Sequence, residues 1–340
     1  MAKEYINQII KDLKRIPKKS LETIYIGGGT PCSLSVSLLS LLLSNLKDLL
    51  LDKYEFTIES NPENLLDKNK VEVLAKNGIN RISIGVQTFN DKYLKLLNRS
   101  HNINDINQCI DNLLKYNINI INIDLIYGLP NQTLDEFLLD VRTAVQYPLK
   151  HISLYSLTID ENTMFNNKGY QEADEDLLRD MSDKATKILH EHLFNKYEVS
   201  NYSLDGFESK HNLTYWRDQE YYAVGVGASG YENGIRYTND KRLSKYLNNE
   251  RLKDEEVVDD YNHEYEYIML NLRTKYGIDF DEYESIFNKN FLNVYKNEIE
   301  SLKDFIIINN NKLTVKGNNY MILNSIVLKF IEKLEDDYNG

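Results

Sequence analysis

The amino-acid sequence predicts an α/β protein whose first part is an open or closed β/α barrel. Between residues 21 and 157, apolar β-favouring segments alternate with amphipathic helical segments in five successive units. The strand segments are almost continuously apolar, as in parallel sheets that are covered by helices. A helical segment also precedes the first strand. Together these features favour the barrel over a doubly wound sheet, which is the second alternative.

Each predicted strand ends in a polar or glycine-rich tip, and capping residues mark several of the helices. Ser33 or Ser35 caps a helix that contains Leu38 to Leu46, and Asn77-Gly78 closes Lys68–Lys76. The strands are predicted at Leu21–Ile26, Tyr54–Glu59, Asn80–Val86, Ile118–Ile126 and His151–Leu157. The other helices are predicted at Ala2–Arg15, Asp91–Leu97, Ile103–Tyr116, Leu134–Val145 and Ala173–Tyr197.

The pattern changes after the last of these helices, which predicts a barrel (1–200), a β-rich connector (201–250) and a small carboxyl-terminal domain (251–340). The connector, which begins near Glu198, is rich in aromatic residues and turn glycines, and these predict short strands. The carboxyl-terminal domain combines helices with a hairpin, an order that suggests a winged-helix-like unit. Its predicted elements are the helices Glu255–Arg273, Asp279–Asn288 and Phe291–Asp304, the hairpin Phe305–Val315 and the helix Tyr320–Leu334.

Composition and charge argue against several classes of protein. The net charge of −12 disfavours a nucleic-acid-binding protein and a polybasic membrane anchor. No apolar run approaches the length of a membrane span and no signal-peptide pattern opens the chain, so we expect a cytoplasmic protein. Cys32 and Cys109 are the two cysteines. They are too few and too far apart for a disulfide framework, a zinc site or an iron–sulfur site.

Polar residues follow successive strands at the end of the sheet where β/α proteins bind ligands. The run Gly27–Thr30 leaves backbone N–H groups bare, and Glu59, Gln87 and Asp124 lie at the tips of later strands. Because the carboxyl ends of parallel strands meet at one edge, these groups converge on a predicted ligand site. A tight strand-to-helix turn and ordinary strand-end caps are the alternative interpretations.

A string of motifs gives the sequence a family resemblance from about Tyr5 to Leu334. The chain resembles radical S-adenosylmethionine (SAM) proteins related to the oxygen-independent coproporphyrinogen III oxidase HemN, and its second half looks closest to the HemW branch, regarded as haem chaperones. The resemblance implies a partial (β/α)6 barrel with a small helical carboxyl-terminal domain. The motifs are IYIGGGTP, TIESNPE, RISIGVQTFND, LNRSHN, INIDLIYGLPNQT, HISLYSLTI, YEVSNYS, HNLTYWRDQEY and GVGASGYENGIRYTN.

The resemblance also implies which residues contact SAM. The glycine motif would contact the methionine part of the cofactor, while carboxylates suit its ribose hydroxyls and a guanidinium suits its carboxylate. Without the resemblance, a surface ion-pair partner is the favoured interpretation of Arg99. The implied contact residues are Gly28, Gly29, Thr30, Glu59, Gln87, Arg99 and Asp124.

One departure from the family pattern concerns the iron–sulfur cluster. Members carry a first strand followed by CxxxCxxC, whose three thiolates hold a [4Fe–4S] cluster. This sequence contains neither feature, and Cys32 does not replace those cysteines. Without the three thiolates the cluster is not held and SAM is not cleaved to a radical. We therefore expect that an amino-terminal segment is missing from the sequence; a natural cluster-free member is the alternative.

Three functions follow from the resemblance. The first is a haem chaperone that delivers haem to membrane proteins, with His211, followed by Tyr215 and Trp216, as a candidate haem ligand. The second is oxidation of coproporphyrinogen III by radical chemistry, which requires the cluster. The third is an inactive, amino-terminally truncated fragment. Haem or a porphyrin is the expected partner, nucleic acid is not, and the sequence leaves the oligomeric state open.

Overall fold

A computed structural model describes residues 1–161, 163–250, 252–317 and 322–339. The chain divides into two units, which we call the barrel unit and the carboxyl unit. The barrel unit comprises Met1–Lys196 and Ser200–His211, and the carboxyl unit comprises Tyr197–Val199 and Asn212–Gly340. The division of the sequence into three parts at residues 200 and 250 stays a prediction.

The strands of the barrel unit form one sheet in which β1 to β5 follow each other in space as they do in the sequence. Each pairs in parallel with the next, and β7 adds to β5 in antiparallel orientation. A doubly wound sheet would reverse its strand order part-way, so this sequential order supports the predicted partial barrel. The strands are β1 Leu21–Ile26, β2 Leu50–Ser60, β3 Arg81–Gln87, β4 Ile120–Tyr127, β5 His151–Ser156, β6 Asn195–Lys196 and β7 Asn201–Ser203.

Helices follow the parallel strands, and local sequence signals fix most of their ends. Ser35 caps the helix that begins at Val36, and capping boxes at Asn102 and Thr133 begin the two helices that follow them. The prediction of one helix over Ala173–Tyr197 is wrong at its carboxyl end, because Leu193 has a φ of 68° and β6 follows it. The helices are α1 Ala2–Leu13, α2 Val36–Lys47, α3 Lys68–Lys76, α4 Asp91–Leu96, α5 Ile103–Lys115, α6 Leu134–Ala144, α7 Met164–Asn167 and α8 Glu175–Glu191.

The two faces of the barrel sheet differ in polarity. Successive residues of a strand point to opposite faces, and in β4 Asp124 bonds to Ser83 of β3 on one face while Tyr127 packs on Phe137 of α6 on the other. The helix-covered face is apolar, whereas the opposite face carries buried polar side chains. Those on this inner face include Glu55, Thr57, Arg81, Ser83, Asn122, His151 and Ser153. A polar inner face suits the binding of a polar ligand.

The carboxyl unit contains small antiparallel sheets and helices. Strand order is β10-β9-β8 in one sheet and β11-β13-β12 in the other. Helix α9 begins in the barrel unit and ends in this one. The elements are α9 Lys210–Trp216, β8 Ser229–Glu232, β9 Ile235–Asn239, α10 Leu243–Leu247, β10 Leu252–Val257, α11 Asp260–Asn271, β11 Ile278–Asp279, α12 Phe280–Phe287, α13 Phe291–Val294, α14 Lys296–Ser301, β12 Ile306–Asn309, β13 Lys312–Val315 and α15 Leu323–Asn339.

Several predictions in this half of the chain need correction. The HNLTYW segment forms helix α9, not a strand. The helix predicted from Glu255 begins only at Asp260, because residues 252–257 pair with β9 as β10. A break at Tyr295 divides the helix predicted over Phe291–Asp304. The hairpin is confirmed, and residues 320 and 321 of the last predicted helix lie outside the described residues.

Candidate functional site

Glu59, at the carboxyl end of β2, is held by groups from β1 and from the glycine loop. The Tyr25 hydroxyl donates to Glu59 Oε1 over 2.7 Å, and the backbone N–H of Gly28 donates to the same carboxylate. Burial raises the pKa of Glu59, the hydrogen bond from Tyr25 lowers it, and the nearby charge of Asp124 raises it. These hydrogen bonds therefore fix the position of the carboxylate, but they do not fully offset the cost of burying its negative charge.

The glycine loop combines crowding at its first residue with open space at the next two. A Cβ on Gly27 would lie 2.7 Å from Glu59 Oε1 and 2.8 Å from the Tyr25 ring. At Gly28 and Gly29, with φ of 81° and 130°, a Cβ would meet no described atom within 4 Å. Gly27 thus leaves room for Glu59, while Gly28 and Gly29 present backbone beside space that a ligand can enter.

Asn61 connects two of the predicted SAM-contact residues. Arg99 Nη1 donates to Asn61 Oδ1 over 2.8 Å, and Asn61 Nδ2 donates to Thr30 Oγ1 over 3.4 Å. Asn61 has extended backbone angles because a proline follows it. This arrangement brings Arg99 from the segment before α5 to the tips of β1 and β2.

Gln87 lies next to this network. Its Nε2 would be 2.8 Å from a Cβ on Gly85, and Asn61 Oδ1 would be 3.4 Å from the same atom, so both side chains occupy the space above Gly85. Gln87 also has a φ of 71° at the end of β3. This left-handed conformation ends the regular strand and directs the following loop away from it.

Asp124 lies deeper, on the inner face of β4. It accepts from Ser83 Oγ over 2.9 Å and from Asn122 Nδ2 over 2.7 Å. Burial raises its pKa, whereas hydrogen bonds from Ser153, Ser83 and Asn122 and the charge of Arg99 lower it. Glu59, Asp124 and Arg99 thus form one electrostatic group with two carboxylates and one guanidinium.

His211 lies elsewhere on the barrel unit, beside β1. Its Nδ1 is 2.9 Å from Thr23 Oγ1, its ring stacks on Tyr25 with a centroid separation of 5.2 Å, and its backbone N–H donates to Glu55. Burial lowers the pKa of His211 to about 4. The imidazole is therefore neutral at physiological pH, and Tyr25 lies between it and Glu59.

The cysteines do not resemble metal-binding or reactive thiols. Burial raises the pKa of Cys32 to about 11 and that of Cys109 to about 12. Within the described parts of the chain, no group of three or more His, Cys, Asp and Glu side chains is arranged to hold a metal ion. The same residues contain no helix that is long and apolar enough to cross a membrane.

The chain matches known proteins over most of its length. The model of the radical SAM superfamily matches residues 1–144. The heme chaperone HemW of Lactococcus lactis is 38% identical over 348 aligned residues, which cover 98% of this chain and 90% of that protein. The heme chaperone HemW of Haemophilus influenzae is 32% identical and covers 96% of this chain. The chain belongs to the HemW family.

The fold of this HemW family member is also that of a solved structure. Coproporphyrinogen III oxidase (HemN) of Escherichia coli, a radical SAM enzyme, superposes with a TM-score of 0.82 over 97% of this chain and 83% of its own. At 18% sequence identity the likeness shows the fold alone. The predicted α/β class with a radical SAM-type barrel is confirmed.

Sequence reasoning missed two residues of the site in this HemW family member. Tyr25 and Asn61 each contact a predicted site residue, and both lie in motifs that carried the resemblance. The sequence identifies Tyr25 only as a strand residue and gives no sign of its hydrogen bond to Glu59, which lies 34 positions away. The sequence does offer a signal for Asn61, because a polar residue that precedes a proline at the tip of a strand is held extended, at the edge of the sheet where ligands bind.

Proposed function

We propose that this chain is a haem chaperone that binds SAM at the strand tips of its barrel unit. The observation that carries the SAM site is the grouping of Glu59, Asp124 and the Arg99–Asn61 pair beside the open glycine loop. The chaperone activity is proposed from the similarity to the HemW relatives, which are named heme chaperones. The acceptors of the haem are expected to be membrane proteins.

The charges of the proposed site suit SAM. Two carboxylates and one guanidinium leave one net negative charge when ionised, and SAM, with its sulfonium, ammonium and carboxylate groups, carries one net positive charge. The charge of Asp124 raises the pKa of Glu59, so a bound cation would relieve the repulsion between the two carboxylates. Arg99 would bind the methionine carboxylate, the backbone of Gly28 and Gly29 the methionine chain, and Thr30 and Gln87 would complete the site.

The residues present do not fit a [4Fe–4S] cluster. The cluster needs thiolates, and burial of Cys32 and Cys109 keeps both as thiols. When bound in its family setting, such a cluster supplies the electron that cleaves SAM. We assign no radical step to the residues described above, and the proposed function rests on binding.

His211 is the proposed haem ligand. Iron binds a neutral imidazole, and burial keeps His211 neutral down to a pH of about 4. The contact between Nδ1 and Thr23 Oγ1 fixes the orientation of the ring, as a hydrogen bond to the other ring nitrogen does for metal-bound histidines. Nε2 is then the atom proposed to bind iron.

Replacing His211 by alanine is expected to weaken haem binding at least about tenfold, because loss of one axial ligand removes more than ~1.4 kcal/mol of binding free energy. Haem titration followed by the Soret band measures this. The matched control is His190→Ala, which removes an exposed histidine of α8 and should leave the titration unchanged. Equal affinity of the His211 variant would show that haem binds elsewhere, and no Soret shift in the unmodified chain would refute the haem proposal.

Replacing Asp124 by asparagine is expected to weaken SAM binding by about tenfold or more, because the variant keeps the size of the side chain but removes one of the two negative charges of a site proposed to bind a cation. Binding of S-adenosylhomocysteine, whose sulfur is neutral, should fall less. Calorimetry with both ligands tests this. Asp135→Asn, at an exposed position of α6, is the charge-matched control. An equal loss for both ligands would contradict the assigned role of the charge.

A further inference from the structure

The Tyr25 hydroxyl is the side-chain group from β1 that reaches the Glu59 carboxylate. Its oxygen lies 2.7 Å from Glu59 Oε1, and the phenol pKa is raised by burial and by the charge of Glu59, so the group stays a donor. The other contact to this carboxylate from the first strand and its loop is the backbone N–H of Gly28. Glu59 is thereby held by one side-chain donor, the Tyr25 hydroxyl, and by one backbone donor, the N–H of Gly28.

The Tyr25 ring is itself held in place by residues of the barrel unit. It stacks on the His211 imidazole with an interplanar angle of 15°, and His211 is anchored by Thr23 through its ring and by Glu55 through its backbone N–H. Glu55 also accepts from Ser209 Oγ and from the backbone N–H of Lys210. The segment that ends at His211 therefore fixes the ring whose hydroxyl meets Glu59.

We propose that Tyr25 is a positioning residue, whose hydroxyl holds the Glu59 carboxylate ionised and oriented towards the SAM site. The proposal rests on the proposed function for the identity of the ligand, but the contact itself does not require SAM. Tyr25 touches no proposed reacting atom, so its effect on the ligand passes through Glu59. The stacked His211 restricts the ring and thus the direction from which the hydroxyl donates.

The surroundings of Glu59 explain why this hydrogen bond affects its protonation. Asp124 of β4 faces it and disfavours its ionised form, Tyr155 of β5 interacts with Tyr25, and Arg99 acts on Asp124. Burial also disfavours the carboxylate, and the hydrogen bond from Tyr25 opposes both effects. Without the hydroxyl, Glu59 would keep its burial and its acidic neighbour, and its pKa would rise further.

The decisive variant is Tyr25→Phe, which keeps the stacked ring and removes the donor. NMR titration of ¹³C-labelled glutamate carboxyl groups, with Glu59→Gln used for assignment, is expected to show the pKa of Glu59 higher by about one pH unit in the variant. Tyr54→Phe is the control, since Tyr54 lies on β2 with its hydroxyl near Gly78 and should leave Glu59 unchanged. An unchanged pKa of Glu59 in Tyr25→Phe would overturn the proposal.

A second measurement follows SAM affinity from pH 5 to pH 9 by calorimetry. In Tyr25→Phe, the pH below which affinity is lost should move upward by the same amount as the pKa of Glu59. A packing defect would lower affinity equally at every pH, and that result would also overturn the proposal. If neither chain binds SAM, the proposed cofactor fails while the NMR titration still decides the role of Tyr25. No haem is present in either experiment, so the haem proposal is tested separately.

Discussion

Replacing Glu264 by alanine is expected to lower the free energy of unfolding of the carboxyl unit by about 3–5 kcal/mol. Glu264 is fully buried in α11 and accepts hydrogen bonds from Tyr283 and from Tyr295 Oη, the latter over 3.0 Å. Its other oxygen pairs with Lys289 Nζ at 2.6 Å. Alanine would leave the two phenols and the ammonium group without this acceptor inside an aromatic core. Urea unfolding followed by circular dichroism measures the loss.

Two further variants separate the charge of Glu264 from its hydrogen bonds. Glu264→Gln keeps an acceptor for the phenols and should lose less stability than the alanine variant. Glu332→Ala removes an exposed partner of Lys329 on α15 and should change stability by no more than about 0.5 kcal/mol. Equal effects of the buried and the exposed substitution would contradict the role assigned to Glu264.

Glu264 also shows why the carboxyl unit is harder to predict than the barrel. The sequence around it predicts an acidic helix, yet the Glu264 carboxylate is buried and contacts Tyr283 of α12, Lys289 and Tyr295. Those partners lie 19 to 31 positions away. Helical periodicity shows which residues share a face, but it does not show which distant side chains will meet them.

The elements that the sequence predicts best carry their own end signals. Strand β1 and helix α3 were predicted with the observed bounds, since a glycine run ends the first and Asn77-Gly78 ends the second, with Gly78 at a φ of 87°. The end of α8 and the strand β10 were predicted wrongly: Leu193, with a φ of 68°, ends the helix before β6 pairs with β7, and β10 is held extended by its pairing with β9. Helical periodicity fails where pairing with a neighbouring strand decides the backbone conformation.

The same distinction holds for the candidate site. Glu59 and Asp124 could be proposed from the sequence because parallel strands place their tips at one edge, and the structure brings both into one electrostatic group with Arg99. Their roles in SAM binding stay predictions. The contact of Tyr25 with Glu59 and that of Asn61 with Arg99 could not be proposed, since the two residues of each pair lie 34 and 38 positions apart in the sequence.

Replacing Gly277 by alanine is expected to destabilise the carboxyl unit by about 2–5 kcal/mol, from left-handed backbone strain and overpacking together. Gly277 precedes β11 with a φ of 62°, and a Cβ there would lie 2.0 Å from the carbonyl oxygen of Leu313. Leu313 belongs to β13 and pairs with Ile278 of β11. Because backbone cannot move aside as a side-chain tip can, the added methyl group would push the two strands apart. Thermal and urea unfolding measure the loss.

Gly234 provides a matched control within the same unit. It has a φ of 72°, but a Cβ there would meet no described atom within 4 Å. Gly234→Ala should therefore cost only the backbone strain, about 1–2 kcal/mol. The difference between the two variants isolates the clash with β13. If both variants lose the same stability, the close approach of Gly277 to Leu313 does not limit the packing of β11 on β13. Glycine would then be needed at position 277 only because of its positive φ.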